Sequence, residues 1–284
     1  MTDLAGRIIN YLRISITDRC NLRCVYCMPP QGIRLLSHSD ILSYDQIAAF
    51  SQLAVGKGIR KIRITGGEPL VRKNVEKLIA MLAPIQGLTD LSLTTNGQLL
   101  VEKAALLKAA GLQRINVSLD TLDPDRYRQI TNGGSLNAVL LGIRAAQRAK
   151  LEPVKINCVV DIDHAVRERR QEERQGKRQE ERREAQKEAM RQFAQKEGLE
   201  LRFIHCMSLH KGDFSMVEGG SGGDCAHCNR LRLTANGMLK PCLFSDIEYN
   251  IRAMGYLEAL DAAVLNKPPK GTRNNTGNFS AIGG

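Results

Sequence analysis

Short runs rich in β-branched residues alternate along the chain with longer segments whose apolar residues recur at helical spacing. The short runs predict strands at residues 8–17, 61–65, 91–96, 114–120, 154–161 and 199–207. The longer segments predict helices at residues 44–57, 71–82, 102–110 and 137–150. Strands and helices in alternation imply a parallel sheet with right-handed crossovers, either an open doubly wound sheet or a barrel.

Unusual residues follow the predicted strands. A cysteine-rich segment follows the first strand, Gly66-Gly67-Glu68-Pro69 follows the second, Asn96-Gly97 follows the third, and Ser118-Leu119-Asp120 ends the fourth. Chemistry gathered at the carboxyl ends of strands is typical of a (β/α) barrel. We therefore predict an α/β fold, an incomplete (β/α)6 TIM-like barrel over residues 1–207, with a small C-terminal region at residues 208–284.

Residues 166–197 differ from the rest in composition, with 11 Lys or Arg and 8 Asp or Glu. Such mixed charge predicts a long solvated helix stabilised by pairs such as Glu173 with Lys177, weakened at Gly176. A role in binding a partner or RNA is the alternative. Most of the chain's net charge of +11 lies outside this segment.

Six of the eight cysteines form two spaced triplets, Cys20-x3-Cys24-x2-Cys27 and Cys225-x2-Cys228-x13-Cys242. The first ten residues lack a leader pattern, and no apolar run approaches the roughly 18 residues of a membrane helix, so we expect a cytoplasmic protein. Thiols stay reduced there, which favours metal sites over disulfides. Because each triplet supplies only three ligands, one metal position would stay open to a small molecule.

Other interpretations of the cysteines and of the charge remain. Zinc at the second triplet, completed by His227, His210 or Cys206, is one alternative. Cys158 and Cys206 are interpreted as buried thiols with no task. The net charge indicates an anionic partner such as nucleotide phosphates, RNA or an acidic surface. With 6 Tyr, 6 Phe and no Trp, the chain offers few stacking platforms, which argues against nucleic acid.

The segment TDRCNLRCVYCMP at residues 17–29 resembles the cluster loop of radical S-adenosylmethionine (SAM) enzymes. The resemblance implies that its three cysteines hold a 4Fe-4S cubane whose fourth iron binds the amino and carboxylate groups of SAM. An electron from the cluster would then cleave SAM to a deoxyadenosyl radical. Gly66-Gly67-Glu68-Pro69 is similar to the glycine-rich SAM-binding turn, where missing side chains let SAM approach the backbone.

The second half of the chain resembles one family of these enzymes. Residues 225–234 (CAHCNRLRLT), 240–245 (KPCLFS) and 282–284 (IGG) are similar to the GTP 3',8-cyclases of molybdenum cofactor biosynthesis. The resemblance implies GTP as substrate, SAM and two 4Fe-4S clusters as cofactors, and a second cluster that anchors the guanine base. It also implies a reductant such as flavodoxin or ferredoxin and a downstream cyclic pyranopterin monophosphate synthase as partners; we also consider a homodimer.

The same resemblance implies the residues of the site. The metal ligands would be Cys20, Cys24, Cys27, Cys225, Cys228 and Cys242. SAM contacts would fall on Tyr26, Gly66, Gly67, Glu68, Ser118 and Met207. GTP contacts would fall on Arg13, Arg63, Thr94, Lys155, Arg230, Leu231 and Arg232, with Arg13, Arg230 and Arg232 catalytic. Cations on barrel strands are costly unless an anion joins them, which suits a triphosphate. Gly283 and Gly284 would enter the barrel mouth near the second cluster.

Only 17 residues separate Met207 from Cys225, fewer than in the family, where this segment includes part of the wall around the purine. Two other functions follow from these observations. One is a radical SAM enzyme with two clusters that acts on a different nucleotide or on a peptide. The other is a non-catalytic iron-sulfur or zinc module, which the intact glycine-rich turn argues against.

Overall fold

The computed structural model describes residues 1–28, 32–162, 176–275 and 282. Its strands are β1 (Tyr11–Ser15), β2 (Lys61–Thr65), β3 (Asp90–Thr95), β4 (Arg114–Ser118), β5 (Lys155–Val160), β6 (Glu200–His205), β7 (Arg230–Leu233), β8 (Met238–Lys240) and β9 (Tyr249–Asn250). They form one sheet in the order β6-β5-β4-β3-β2-β1-β7-β8-β9. Strands β1 to β7 pair in parallel, and β8 and β9 continue the sheet in antiparallel fashion.

The helices are α1 (Tyr44–Gly56), α2 (Val75–Leu82), α3 (Leu100–Ala109), α4 (Pro124–Thr131), α5 (Leu136–Arg148), α6 (Gly176–Glu197), α7 (Ile251–Met254) and α8 (Tyr256–Leu265), with a 3-10 turn at Pro69–Val71. The six predicted strands and four predicted helices are confirmed. Helix α4 was not predicted, although Asp123 before Pro124 is a start signal: the Asp123 carboxylate accepts hydrogen bonds from two backbone amides of the first turn, each at 2.9 Å.

The two faces of the parallel strands differ in chemistry. Leu12 and Ile14 on β1, like Ile62 and Ile64 on β2, are fully buried in one continuous core with the helices. Alternate residues face the other way, and Arg13 is such a residue. Since side chains alternate along a strand, the sheet has an apolar face under the helices and an opposite face that carries polar and basic side chains.

The C-terminal region joins the same sheet, because β7 pairs directly with β1. The connecting segment 208–224 closes the edge beside β6: Phe203 and Glu218 exchange backbone hydrogen bonds of 3.1 and 3.0 Å. At its far end the Arg230 guanidinium donates to the carbonyl and the hydroxyl of Ser221, both at 2.8 Å. The segment therefore spans from β6 to β7. The division into residues 1–207 and 208–284 stays a prediction.

Helix α6 corrects the prediction of a solvated helix. Met190 is fully buried in the same core cluster as the strand residues, and Ala194 is 4% exposed. The Lys187 ammonium lies 2.8 Å from the Glu218 carboxylate, and the Arg183 guanidinium lies 3.1 Å from Asp161. The buried face of α6 is not evident from the sequence, because only a few apolar residues are spaced among many charged ones. Residues 166–175, including Glu173, lie outside the described residues.

Candidate functional site

The first cysteine triplet lies on the loop that follows β1. This loop leans on helix α4, since the amides of Arg23 and Val25 donate to the carbonyls of Thr131 and Ile130 at 3.1 and 2.9 Å. The Cys20 sulfur receives the Leu22 amide at 3.4 Å. N–H groups directed at a cysteine sulfur are a feature of iron-sulfur ligation. Helix α4, which the sequence analysis did not predict, thus supports the predicted cysteine loop.

Burial raises the pKa of all three thiols in this loop, that of Cys24 well above its ordinary value and that of Cys27 to about 12. Uncharged thiols suit a site whose ligands lose their protons when the metal binds. The charge of Arg23 acts on Cys20 but does not offset burial, so Cys20 is not held as a free thiolate in the way that a reactive cysteine requires. These residues therefore fit metal ligation better than nucleophilic catalysis.

The glycine-rich turn packs against the chain that leads into this loop. The amides of Gly67 and Glu68 donate to the carbonyls of Thr17 and Arg19 at 2.7 and 2.8 Å. A Cβ on Gly66 would lie 2.7 Å from the Thr17 carbonyl oxygen, and a Cβ on Gly67 would collide with that of Arg19. The structural reason for both glycines is thus close backbone packing; contact with SAM stays a prediction.

Glu68 is buried, and its carboxylate accepts three hydrogen bonds inside the protein. The donors are the Leu70 amide at 3.0 Å, the Thr95 hydroxyl at 2.7 Å and the Asn96 amide at 2.6 Å. Burial raises its pKa to about 7 although these hydrogen bonds oppose the shift. The Asn96 side chain in turn donates to Asn21 at 2.8 Å, which ties the end of β3 to the cysteine loop.

Tyr26 is also tied to a neighbouring strand. Its hydroxyl donates to the Asp120 carboxylate at 2.8 Å, and the Val159 amide donates to the other Asp120 oxygen at 2.8 Å. Burial raises the pKa of Asp120 to about 6. Ser118 lies two residues before Asp120, half-buried at the end of β4. Asp120 thus links the cysteine loop to β4 and β5 at the carboxyl ends of the strands.

The second triplet lies at the amino ends of the parallel strands, whereas the first lies at their carboxyl ends. Cys225 and Cys228 immediately precede β7, and Cys242 follows the antiparallel β8. Burial alone would raise the pKa of the Cys228 thiol, but the charges of Lys267 and Arg230 and hydrogen bonds from both residues together hold the pKa below its ordinary value. Lys267 is 5% exposed, and its ammonium also donates to the Arg230 and Pro241 carbonyls at 2.8 and 2.6 Å. The thiolate is favoured at Cys228, whereas burial raises the pKa of Cys242.

His227 does not face this triplet. Its Nδ1 lies 2.7 Å from the Asp224 carboxylate, and its side chain is 84% exposed. None of the eight cysteines is in a disulfide bond. Within residues 1–28, 32–162, 176–275 and 282, no three His, Cys, Asp or Glu side chains form a ready site for a single metal ion. Cys158 is buried as predicted, whereas Cys206 is partly exposed, so the prediction of a buried Cys206 is wrong.

A cavity of about 290 Å³ joins the second triplet to the basic face of the sheet. All three cysteines of that triplet line it, and so does Met207. Its basic lining residues are Arg13, Lys61, Arg63, Arg114, Arg202, Arg230 and Arg232, against the acidic residues Asp90 and Asp224. Sequence reasoning missed Lys61, Arg114 and Arg202, which lie on β2, β4 and β6 and belong to no motif.

The clustered cations carry an electrostatic cost. Burial, followed by the charge of Arg232, lowers the pKa of Arg13 well below its ordinary value. Burial and the charge of Arg230 lower the pKa of Arg232 to about 10. The Arg63 and Arg230 guanidinium groups both lie over the Tyr11 ring, at 5.5 and 5.9 Å from its centre. Since guanidinium groups stay protonated, a polyanion in the cavity would relieve this repulsion.

Three predicted substrate residues are not on the cavity wall. Lys155 forms an ion pair with Glu200. Thr94 lies half-buried within 3.5 Å of the Asn116 amide group. The Leu231 side chain is fully buried in the core on the helix side of the sheet, which leaves only its backbone for a ligand. The structure thus brings Arg13, Arg63, Arg230 and Arg232 together on the cavity wall. Lys155, Thr94 and Leu231 are not part of that wall.

The short segment after Met207 supplies a wall of the cavity. Phe214 stacks on Phe244 with ring centres 4.4 Å apart, and both rings line the cavity. Ile282 is 1% exposed in a small apolar cluster with Leu209 and Phe244, so one residue of the C-terminal tail reaches this wall. Gly283 and Gly284 lie outside the described residues. Among the described residues, no helix is both long and apolar enough to cross a membrane.

Comparison with known families agrees with this geometry. Residues 14–171 match the radical SAM superfamily, and residues 159–268 match the family described as Molybdenum Cofactor Synthesis C. The GTP 3',8-cyclase of Petrotoga mobilis is 40% identical over 302 residues, covering 94% of each chain. That of Moorella thermoacetica is 44% identical over 279 residues, covering 89% of this chain and 86% of the relative.

Solved structures share the fold at low identity. Streptococcus suis SuiB aligns with a TM-score of 0.60 and 15% identity, covering 91% of this chain and 66% of SuiB. The enzyme anSMEcpe with bound AdoMet aligns with a TM-score of 0.60 and 16% identity, covering 91% of this chain and 78% of that enzyme. The chain therefore belongs to the GTP 3',8-cyclase family of the radical SAM superfamily.

Proposed function

We propose that this protein is a radical SAM lyase that converts GTP into (8S)-3',8-cyclo-7,8-dihydroguanosine 5'-triphosphate, the first step of molybdopterin biosynthesis. The observation that carries the proposal is the cavity in which a wall of seven basic side chains meets three thiols. Such a wall suits a polyphosphate, and the thiols suit a metal that holds the other end of the same ligand. The similarity to GTP 3',8-cyclases of other organisms supports GTP as this ligand.

At the first site, Cys20, Cys24 and Cys27 would hold a 4Fe-4S cluster, and Gly66 to Glu68 would border bound SAM. A reduced cluster there would supply the electron that cleaves SAM and starts radical chemistry. The protein's part is to fix the loop: Tyr26 anchors it to β4 through Asp120. The hydrogen bonds of Glu68 fix the turn against the end of β3.

At the second site, Cys225, Cys228 and Cys242 would hold a second 4Fe-4S cluster with one position open to the guanine base. His227 faces Asp224 instead, which favours three protein ligands over a closed zinc site. Arg13, Arg63, Arg230 and Arg232 would bind the triphosphate and hold the ribose in the cavity. We infer an electron donor of the flavodoxin or ferredoxin type as partner.

The test is anaerobic reconstitution followed by incubation with SAM, a reductant and GTP. We expect about eight irons per chain, and deoxyadenosine and a cyclised nucleotide formed together. Cys20→Ala should abolish SAM cleavage, whereas Cys225→Ala should retain some uncoupled cleavage without cyclised product. Cys206→Ala, outside both triplets, is the matched control and should keep both activities.

Two results would contradict the proposal. Zinc without iron at the second triplet would remove the second cluster. Tight binding of another nucleotide or of a peptide, with no product from GTP, would instead support the alternative of a radical SAM enzyme with a different substrate.

A further inference from the structure

Arg114 and Asp90 form a paired unit on the wall of the cavity. The Arg114 Nε donates to Asp90 Oδ1 at 2.8 Å and its Nη2 donates to Oδ2 at 2.5 Å. Two parallel hydrogen bonds fix the plane of a guanidinium group as well as its position. Both side chains are partly buried, with exposures of 16% and 18%, and both line the cavity.

The third nitrogen of this guanidinium group, Nη1, does not take part in the ion pair. Arg114 Nη1 is buried and has no hydrogen-bond partner among the described residues. A buried donor without a partner is uncommon, because removing it from water costs free energy that a hydrogen bond normally offsets. Because Arg114 lines the cavity, an anionic ligand that reaches this residue would supply the missing acceptor.

The surroundings of Arg114 point to the same kind of ligand. Its charge helps to lower the pKa of both Arg63 and Arg202, after burial as the main cause, so the three guanidinium groups lie close together. Two carboxylates act on these three charges: Asp90 pairs with Arg114 and also acts on Arg63, and Glu200 acts on Arg202. The other acidic lining residue, Asp224, is engaged by His227 at 2.7 Å. The cavity therefore keeps a positive excess near Arg114, suited to several phosphate groups rather than one.

We propose that Arg114, held in plane by Asp90, is a further polyphosphate ligand of the cavity, and that it favours nucleoside triphosphates over monophosphates. The inference rests on the proposed function, since it names how that substrate's phosphates are recognised. Arg114, at the start of β4, is not among the cations that the sequence analysis expected to bind the substrate. A monophosphate brings about two negative charges, whereas each further phosphate adds one, so the longer chain gains more from an additional fixed donor.

The test is equilibrium binding of GTP, GDP and GMP to the anaerobically reconstituted enzyme at one fixed ionic strength. Arg114→Gln should weaken GTP binding about 10-fold to 100-fold, as expected for a lost charged hydrogen bond, and GMP binding less than about 3-fold. Arg114→Lys keeps the charge but loses the planar fork and should give an intermediate loss. Steady-state kinetics should show the change in KM for GTP with kcat nearly unchanged.

Arg144→Gln is the matched control, because Arg144 is 57% exposed on α5 and does not line the cavity. It should bind all three nucleotides like the wild type. If Arg114→Gln proves unstable by thermal unfolding, Arg114→Lys carries the comparison.

An unchanged ratio of GTP to GMP affinity in a folded Arg114 variant would overturn this inference and leave the proposed function standing. A wild-type enzyme that binds none of the three nucleotides would instead overturn the proposed function.

Discussion

Met190 provides a direct test of how helix α6 contributes to the protein. The sequence predicts a solvated helix, whereas the structure buries Met190 completely. Truncating a fully buried methionine to alanine removes apolar contacts and leaves a cavity, at a typical cost of 2–5 kcal/mol. Because Met190 has no exposed surface, we expect Met190→Ala to lower the free energy of unfolding by about 3 kcal/mol.

The same substitution at an exposed methionine is the control. Met216 is 64% exposed, so Met216→Ala should change the free energy of unfolding by less than about 0.5 kcal/mol. Urea denaturation of the reconstituted protein, followed by far-UV circular dichroism, measures both. With a slope of about 3 kcal/mol per molar urea, the Met190 variant should unfold near 1 M lower than the wild type. Equal midpoints for the two variants would refute the packing of α6 and restore the solvated helix.

Three further predictions follow from other parts of the structure. Gly67→Ala forces a Cβ into the Arg19 backbone and should reduce SAM cleavage at least 10-fold, whereas Gly56→Ala, with open space around its Cβ, should leave cleavage unchanged; a cleavage assay compares them. Burial alone would raise the pKa of Asp161, but hydrogen bonds with His205 and Arg183 and the charge of Arg183 together hold the pKa below 3.8, so the stabilisation exists above that pH and is lost as pH falls through the lowered pKa. Asp161→Asn should therefore be about 1 kcal/mol less stable than wild type at pH 6, after allowance for solvent screening, and the gap in unfolding free energy should close below pH 3.8; a constant gap would contradict this. Ile282→Ala should remove the apolar contacts of Ile282 with Leu209 and Phe244. We expect faster limited proteolysis and a lower yield of cyclised nucleotide, and an unchanged rate of proteolysis would show that Ile282 is not an anchor.

The glycine-rich turn shows how a correct motif can have an additional physical reason. From the sequence, Gly66 and Gly67 suggest room for SAM beside the backbone. The structure shows that a side chain at either position would meet the Thr17 to Arg19 backbone first. The motif spacing could not reveal this, because the two segments are about 50 residues apart in the chain and meet only when β1 and β2 pair.

The positions of six parallel strands along the chain, the two cysteine triplets and the glycine-rich turn were determined by the sequence alone. Local spacing suffices for them, since apolar periodicity sets strands and helices and ligand spacing sets a metal loop. Only the tertiary structure decided which cations share the cavity, that Arg114 meets Asp90 and that Lys187 meets Glu218. These pairs depend on strand register and on the face that α6 buries, and both are set by contacts between residues far apart in the chain.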